Sequence, residues 1–360
     1  MPHKGLLFIP DISGFTRFVN EIEIEHSRHI IQQLLEILIN ANQVGLEVSE
    51  VEGDAILFYK FGDPVELEAL YHQVQTMFTA FHQHINAYNQ RRICQCKACI
   101  SAINLSLKVI THYGEFTTYN VKNFSKLIGK DVIVAHQLLK NDIDQHEYWL
   151  VTQNLLQDAP PVDFAGWMQW NRSTKQTETG EIPFHYTQLS ELKNELPPLP
   201  APYLELAKKV KMLSVTEEYD VDIKTLCYTV VHFDLRHHWQ KGIKAVDEVE
   251  HFLPGIGSSH RHLYENGKGV IMYTSSFMYN PEEKVMFSET EEKKTRAFYY
   301  TIEKMGDHQA RLTIDFYLTR NWVNQVLFTL TEKKKLQQTL QQSLLNLDAF
   351  VKTIVLPLEF

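Results

Sequence analysis

Asp11 closes a run of large apolar residues in Leu6-Leu7-Phe8-Ile9-Pro10-Asp11-Ile12-Ser13-Gly14-Phe15-Thr16, and a second aspartate, Asp54, follows in the turn-like stretch Glu52-Gly53-Asp54. Two carboxylates brought to one end of a sheet repel each other unless a cation lies between them. An oxygen-rich pair of this kind suits Mg²⁺ or Mn²⁺ holding substrate phosphates. The turn Ser13-Gly14-Phe15-Thr16, just ahead of a helix, would aim backbone N–H groups at a polyphosphate. Taken singly, each aspartate also reads as a helix cap or turn former. The chemistry therefore depends on whether the fold joins the two.

Two other groups could do chemistry. Cys94, Cys96 and Cys99 have a spacing that could wrap Zn²⁺ through thiolates, but a complete structural site needs a fourth ligand. Cys227 is assigned to another domain, and His82, His84 or a second copy of the chain are the remaining candidates. The cluster is read first as a loop of reduced thiols and only secondarily as a metal site. Among the 17 histidines, His260 and His262 alternate onto one face of a strand. They lack an acidic third ligand at informative spacing, so they are read as surface or pocket-lining residues.

The elements that must position Asp11 and Asp54 follow from periodicity. Gly5–Ile12 reads as a buried strand, and residues 27–42 carry apolar positions at helical spacing. Leu46–Val51 and Ala55–Phe61 read as a hairpin through Glu52-Gly53-Asp54. A second helix is expected over 65–88, a strand over 105–113 and a short helix over 132–139. This β-α-β-β-α-β order is the split βαβ arrangement, an antiparallel sheet with helices on one face; it makes the first strand and the hairpin neighbours.

Residues 158–214, with Pro160-Pro161, Pro183 and the proline cluster at 197–202, read as an extended connector between a domain at 1–157 and one at 215–360. In the latter, residues 219–231 read as a strand and 235–242 as a short helical segment. Strands follow over 243–249, 260–264, 269–277, 284–288, 296–303 and 311–318. A long helix over 331–355 carries a leucine stripe. The fold class is α+β.

Composition narrows the function classes. The 360 residues are 44% hydrophobic and 22% charged, with a net charge of −9, and a sequence pI near 6.0. The balance gives no general attraction to nucleic acid or anionic membrane. No uninterrupted apolar run reaches the roughly 18 residues of a membrane span, and the four cysteines form a poor disulfide framework. A cytoplasmic protein is expected.

The segments Phe8-Ile9-Pro10-Asp11-Ile12-Ser13-Gly14-Phe15-Thr16-Arg17-Phe18-Val19 and Val48-Ser49-Glu50-Val51-Glu52-Gly53-Asp54-Ala55-Ile56-Leu57-Phe58-Tyr59 together resemble the class III adenylyl/guanylyl cyclase domain. The resemblance covers about residues 5–145. It implies a ferredoxin-like nucleotide-cyclase fold with Asp11 and Asp54 as metal ligands, joined by the Ile12 carbonyl. It further implies Gly14, Phe15 and Thr16 as the phosphate loop and Glu50 as a purine-reading glutamate. Lys126 falls at the second purine-contacting position. In Gly129-Lys130-Asp131-Val132-Ile133-Val134-Ala135-His136-Gln137, Ile133 stands at the family's asparagine position and Gln137 at its arginine position. A donated arginine contributes about 10³–10⁵ in rate in related phosphoryl transfer, so robust turnover is not expected.

The second half resembles the START-like, helix-grip (SRPBCC) superfamily, through His232–Val246, Gly255–Phe277, the antiparallel strands and the terminal helix. That resemblance implies a curved antiparallel sheet around a long C-terminal helix and a cavity for a small hydrophobic ligand. Phe233, Trp239, Met272, Tyr273, Phe277, Phe298, Tyr300, Phe316 and Trp322 are the expected lining. The fusion of the two domains also resembles a bacterial family of unknown function. The expectation is a degenerate cyclase domain binding nucleotide and Mg²⁺ or Mn²⁺, fused to a ligand pocket. The alternative is an active, GTP-using nucleotidyl cyclase with a composite site in a homodimer.

Overall fold

The apolar run ending at Asp11 forms β1 (His3–Ser13), buried without interruption from Gly5 onward. A strand buried on both faces belongs in the middle of a covered sheet, and β1 lies between β3 (Ala55–Phe61) and β4 (Ser106–Val121), antiparallel to both. The computed structural model describes residues 3–20, 24–122, 124–157, 159–177, 180–198, 208–248 and 256–356. Two compact units divide the chain: Met1–Asn89 with Ile100–Leu199, and Gln90–Cys99 with Pro200–Phe360.

In the first unit, α1 (Phe15–Asn20) and α2 (Ile24–Asn40) follow β1, then come β2 (Glu47–Glu52), β3 and α3 (Leu67–Arg91). After α4 (Lys97–Ser101) and β4 the chain continues through β5 (Phe124–Ile128), α5 (Lys130–Leu138), β6 (Tyr148–Thr152), α6 (Gln153–Leu156), β7 (Asn171–Thr177) and β8 (Gly180–Gln188). Sheet order is β2-β3-β1-β4-β6-β8-β7, with β5 pairing β4. Its β2-β3-β1-β4 portion has the order a split βαβ arrangement requires.

Residues 171–188, expected within the connector, instead add β7 and β8 to this sheet. Ile182, Phe184 and Tyr186 alternate onto one face and pack against the core of Leu7, Ile9, Ile110 and Leu150. That period-2 apolar face outweighs the proline signal. The proline cluster from Leu199 to Pro202 lies outside the described residues.

The helix α5 carries one wall of the site and is anchored by a buried aspartate. Asp131 accepts from the Glu115 backbone N–H at 2.7 Å and lies 3.0 Å from His112 Nε2, while His112 Nδ1 meets Thr152 Oγ1 at 2.9 Å. These contacts hold the Asp131 carboxyl below its ordinary range despite burial, which acts in the opposite sense and is the largest influence on it. Gly114 makes the approach possible, because a Cβ there would lie 2.2 Å from Asp131 Cγ. Gly114→Ala should therefore unseat α5, destabilising the first unit by about 1–3 kcal/mol in chemical denaturation. An unchanged midpoint would contradict the packing.

The second unit begins with β9 (Lys209–Tyr219), α7 (Ile223–Val231) and α8 (Arg236–Trp239). Then come β10 (Ile243–Glu248), β11 (Ser259–Tyr264), β12 (Gly269–Asn280), β13 (Lys284–Glu291), β14 (Arg296–Gly306) and β15 (Gln309–Thr319). Helices α9 (Trp322–Thr331) and α10 (Lys333–Val351) follow. The sheet is antiparallel throughout, in the order β10-β11-β12-β13-β14-β15-β9. The strand expected over 219–231 is a correction: β9 ends at Tyr219, and Asp222 caps α7 by accepting from the Lys224 and Thr225 N–H groups. An Asx cap favours a helix start over strand continuation.

Of the expected pocket-lining aromatics, Trp239, Tyr300 and Phe316 lie in the unit's core with Leu344 and Leu347 of α10, and Phe277 and Phe298 pack against it. Trp322 is 76% exposed on α9 and lines nothing of the kind. Among the described residues no helix is long and apolar enough to cross a membrane.

Arg236 sits fully buried in this unit, paired with Glu289 through two hydrogen bonds of 3.2 and 2.8 Å and donating to the Val230 carbonyl at 2.8 Å. The rings of Phe233, Trp239, Phe287 and Tyr300 surround its guanidinium carbon at 5.4–5.8 Å. Removing one partner leaves a buried charge uncompensated, so Arg236→Met should lower the second unit's stability by about 3–5 kcal/mol. Denaturation curves would show it, with much of the loss recovered in Arg236→Met/Glu289→Leu. A single variant as stable as the parent would contradict the account.

Candidate metal and nucleotide site

Asp11 sits opposite Ala55 of β3 and Lys108 of β4. The Ile12 N–H donates to the Asp54 carbonyl at 3.0 Å, which ties the β2–β3 turn to the end of β1. Both aspartates consequently face one cavity of about 1090 Å³, whose walls include Ile12, Ser13, Gly14, Phe15, Thr16 and Arg17. Gly14 adopts a φ of +89°, a left-handed conformation that turns the chain from β1 into α1 and that glycine tolerates without strain.

Electrostatics place the carboxylates in each other's field. Burial and, secondarily, the charge of Asp11 together push Asp54 up to about 6. Asp11 is 8% exposed and also raised by burial, partly offset by Lys108, whose Nζ lies 3.2 Å from its Oδ1. The same ammonium donates to the Leu139 carbonyl at 3.3 Å. Lys108 is the main site residue that sequence reasoning missed. Its signal was a lone lysine interrupting the apolar run Leu105–Ile110, opposite β1 once the register is known.

The opposite wall comes from α5 and the residues after it. Ile133, His136 and Gln137 follow the i, i+3, i+4 spacing of one face of α5, and they line the cavity together with Lys140, which follows the helix. Both departures from the cyclase pattern, Ile133 and Gln137, thus stand where the aspartates stand. Gln137 Oε1 is buried and has no hydrogen-bond partner among the described residues. Lys126 and Lys130 do not line the cavity; the cationic side chains that do are Arg17, Lys108 and Lys140.

Glu50 is not brought to the cavity. Its carboxylate pairs with the Lys126 ammonium, joining β2 to β5. The two positions that the resemblance assigns to purine reading are therefore in contact with each other and outside the space that holds Asp11 and Asp54.

Two further clusters have metal-ligand composition. Cys94, Cys96 and Cys99 are buried with sulfurs within 4.8 Å of one another, and they belong to the second unit together with Cys227. The expectation that Cys227 lies in a different domain from the other three is thereby corrected: the chain after α3 contributes Gln90–Cys99 to the second unit. His260, His262 and Glu289 form the other cluster, all buried rather than on a surface. The acidic member on β13 was not visible from strand spacing on β11. Its carboxylate is engaged by Arg236, which makes the cluster a poor cation site.

Comparison with known proteins gives the following likenesses. A family model described as a protein of unknown function, DUF2652, matches residues 31–148. An uncharacterized protein of Mycobacterium tuberculosis, Rv2561/Rv2562, is 34% identical over 125 residues, 35% of this chain. The chain spans 58% of that relative's length. Among solved structures, the catalytic core of a rhodopsin-guanylyl cyclase with converted specificity, in complex with ATPαS, is similar at 15% identity and a TM-score of 0.38. It covers 52% of this chain and 96% of its own. A bacterial light-regulated adenylyl cyclase is similar at 14% identity and a TM-score of 0.37, covering 54% of this chain and 98% of its own.

Proposed function

We propose that the first unit is a degenerate nucleotide-cyclase domain that binds a nucleoside triphosphate with Mg²⁺ or Mn²⁺ and turns it over slowly or not at all. The observation that carries this reading is the meeting of Asp11, Asp54 and the Gly14–Thr16 turn in one cavity whose opposite wall presents Ile133 and Gln137. Asp11, Asp54 and the Ile12 carbonyl would hold the cation, which would supply positive charge to neutralise the phosphates. The Gly14–Thr16 turn, Arg17 and Lys140 would contact the phosphates. A neutral Gln137 supplies no positive charge to a transferring phosphoryl group, and Ile133 supplies no hydrogen bond to a ribose. Glu50 and Lys126 would select a purine only if their mutual ion pair opened.

The second unit supports a helix-grip reading through its order: one strand, two helices, six antiparallel strands and two terminal helices, the longer being α10, with β9 closing onto β15. A small hydrophobic ligand for this unit remains part of the proposal. Native mass spectrometry of the purified chain is expected to show a co-purified apolar small molecule, and a clean apo mass from cells of several types would remove this half.

Thermal shift with GTP or ATP tests the first half. Either nucleotide with Mn²⁺ should raise the melting temperature of the first unit, and Asp11→Ala and Asp54→Ala should each abolish the rise. Chromatography after prolonged incubation should detect no cyclic product. Product that disappears in both variants would instead favour the active-cyclase alternative, with Arg17, Lys140 or a second copy of the chain supplying the missing charge.

The pH dependence has a definite sign. Asp54 is raised to about 6, so it is protonated below that value, and a cation must displace the proton. Mn²⁺ affinity measured by calorimetry should fall as pH drops through 6, approaching about tenfold per pH unit for one displaced proton. Asp54→Asn should bind weakly with that limb removed. A flat wild-type profile between pH 5 and 7.5 would contradict Asp54 as a ligand.

A further inference from the structure

Cys94, Cys96 and Cys99 are 7%, 5% and 1% exposed, and their sulfurs lie within 4.8 Å of one another. A tetrahedral Zn²⁺ with Zn–S bonds of about 2.3 Å separates its sulfurs by roughly 3.8 Å, so the three thiols are already near ligand spacing. The Cys96 N–H donates to Cys94 Sγ at 3.5 Å. Such a bond stabilises negative charge on the sulfur and orients it as a ligand.

A fourth thiol belongs to the same unit but lies outside the three-sulfur group. Cys227 on α7 is 2% exposed and shares the second unit's core with Ile93, the residue preceding Cys94. None of the four cysteines is in a disulfide. By contrast, the buried His260, His262 and Glu289 have Arg236 seated on the carboxylate, so a cation there would meet a fixed positive charge.

We propose that the second unit carries a structural zinc site in which Cys94, Cys96 and Cys99 are ligands and Cys227, outside that three-sulfur group, is drawn in by the bound ion as the fourth. Zn²⁺ binds as each ligand thiol releases its proton to solvent, and soft thiolates favour this ion over Mg²⁺ or Mn²⁺. The site fixes the Gln90–Cys99 segment to α7 within the same unit, adding to the core packing of Ile93 and the hydrogen bond from the Ile256 N–H to the Arg91 carbonyl. It is independent of the Asp11/Asp54 cavity.

The test uses the full-length reduced chain, purified without chelator. Elemental analysis should give about one zinc per chain. Cys96→Ser/Cys99→Ser should lower that by at least tenfold, whereas Cys227→Ser should keep binding with weakened affinity in a chelator competition. Replacement of zinc by Co²⁺ in the wild-type chain should give the thiolate charge-transfer and visible bands of a tetrahedral sulfur site, a readout that needs no variant to fold. Absence of both zinc and the cobalt–thiolate bands, or full zinc occupancy in the double serine variant, would overturn the proposal. Undiminished affinity in Cys227→Ser would overturn the role of Cys227.

Discussion

The short link between the end of β1 and the β2–β3 turn, an Ile12 N–H donating to the Asp54 carbonyl, is the constraint on which the first unit's chemistry depends. It places a second carboxylate in partly buried surroundings, where the charge of Asp11 bears on Asp54 and neither group is fully hydrated. Lys108, reaching from β4, supplies the one ammonium paired with Asp11 among the described residues. Two carboxylates and one ammonium leave a net negative charge at the head of the cavity when all are ionised. A divalent cation suits that balance, and it would compete with Lys108 for Asp11.

The facing wall is set by a different device. Asp131 pins α5 to β4 through His112 and the Glu115 backbone, and Gly114 leaves the room for it. The helix then turns Ile133, His136 and Gln137 toward the aspartates. Gln137 brings to this wall a buried amide oxygen with no hydrogen-bond partner among the described residues. Leaving such a group without a partner costs stability, so a hydrogen-bond donor from a bound molecule would find an acceptor waiting there. This wall brings an apolar side chain, Ile133, and a neutral amide, Gln137, to the cavity that holds the two aspartates.

Sequence patterns made much of this legible because the first unit's signals are local. The strand ending in Asp11, the hairpin around Asp54 and the short helix over 132–139 all follow from period and turn chemistry. What escaped was set by pairing between distant strands. Lys108 joins Asp11 only through the β1–β4 register, Glu50 meets Lys126 only because β5 folds back beside β2, and Glu289 reaches Arg236 and His260 from another strand. The prolines around 160 and 183 obscured two strands of the first sheet. The Gln90–Cys99 segment looked like part of the first domain because nothing in its composition marks the unit to which it packs. Residues 219–231 misled because β-branched residues in α7 mimic a strand when the Asp222 cap is overlooked.

Arg17, Lys140 and Glu52 line the same cavity as Asp11 and Asp54, so cationic groups suited to a polyphosphate and carboxylates suited to its metal share one space. Electron paramagnetic resonance of Mn²⁺ titrated into the full chain with GTP carrying ¹⁷O in its phosphates examines that arrangement most directly. The account predicts one bound Mn²⁺ per chain whose lines broaden through contact with labelled phosphate oxygen, and loss of the bound signal in Asp11→Asn/Asp54→Asn. A bound signal of equal strength in that double variant, or no binding by the parent chain, would contradict it.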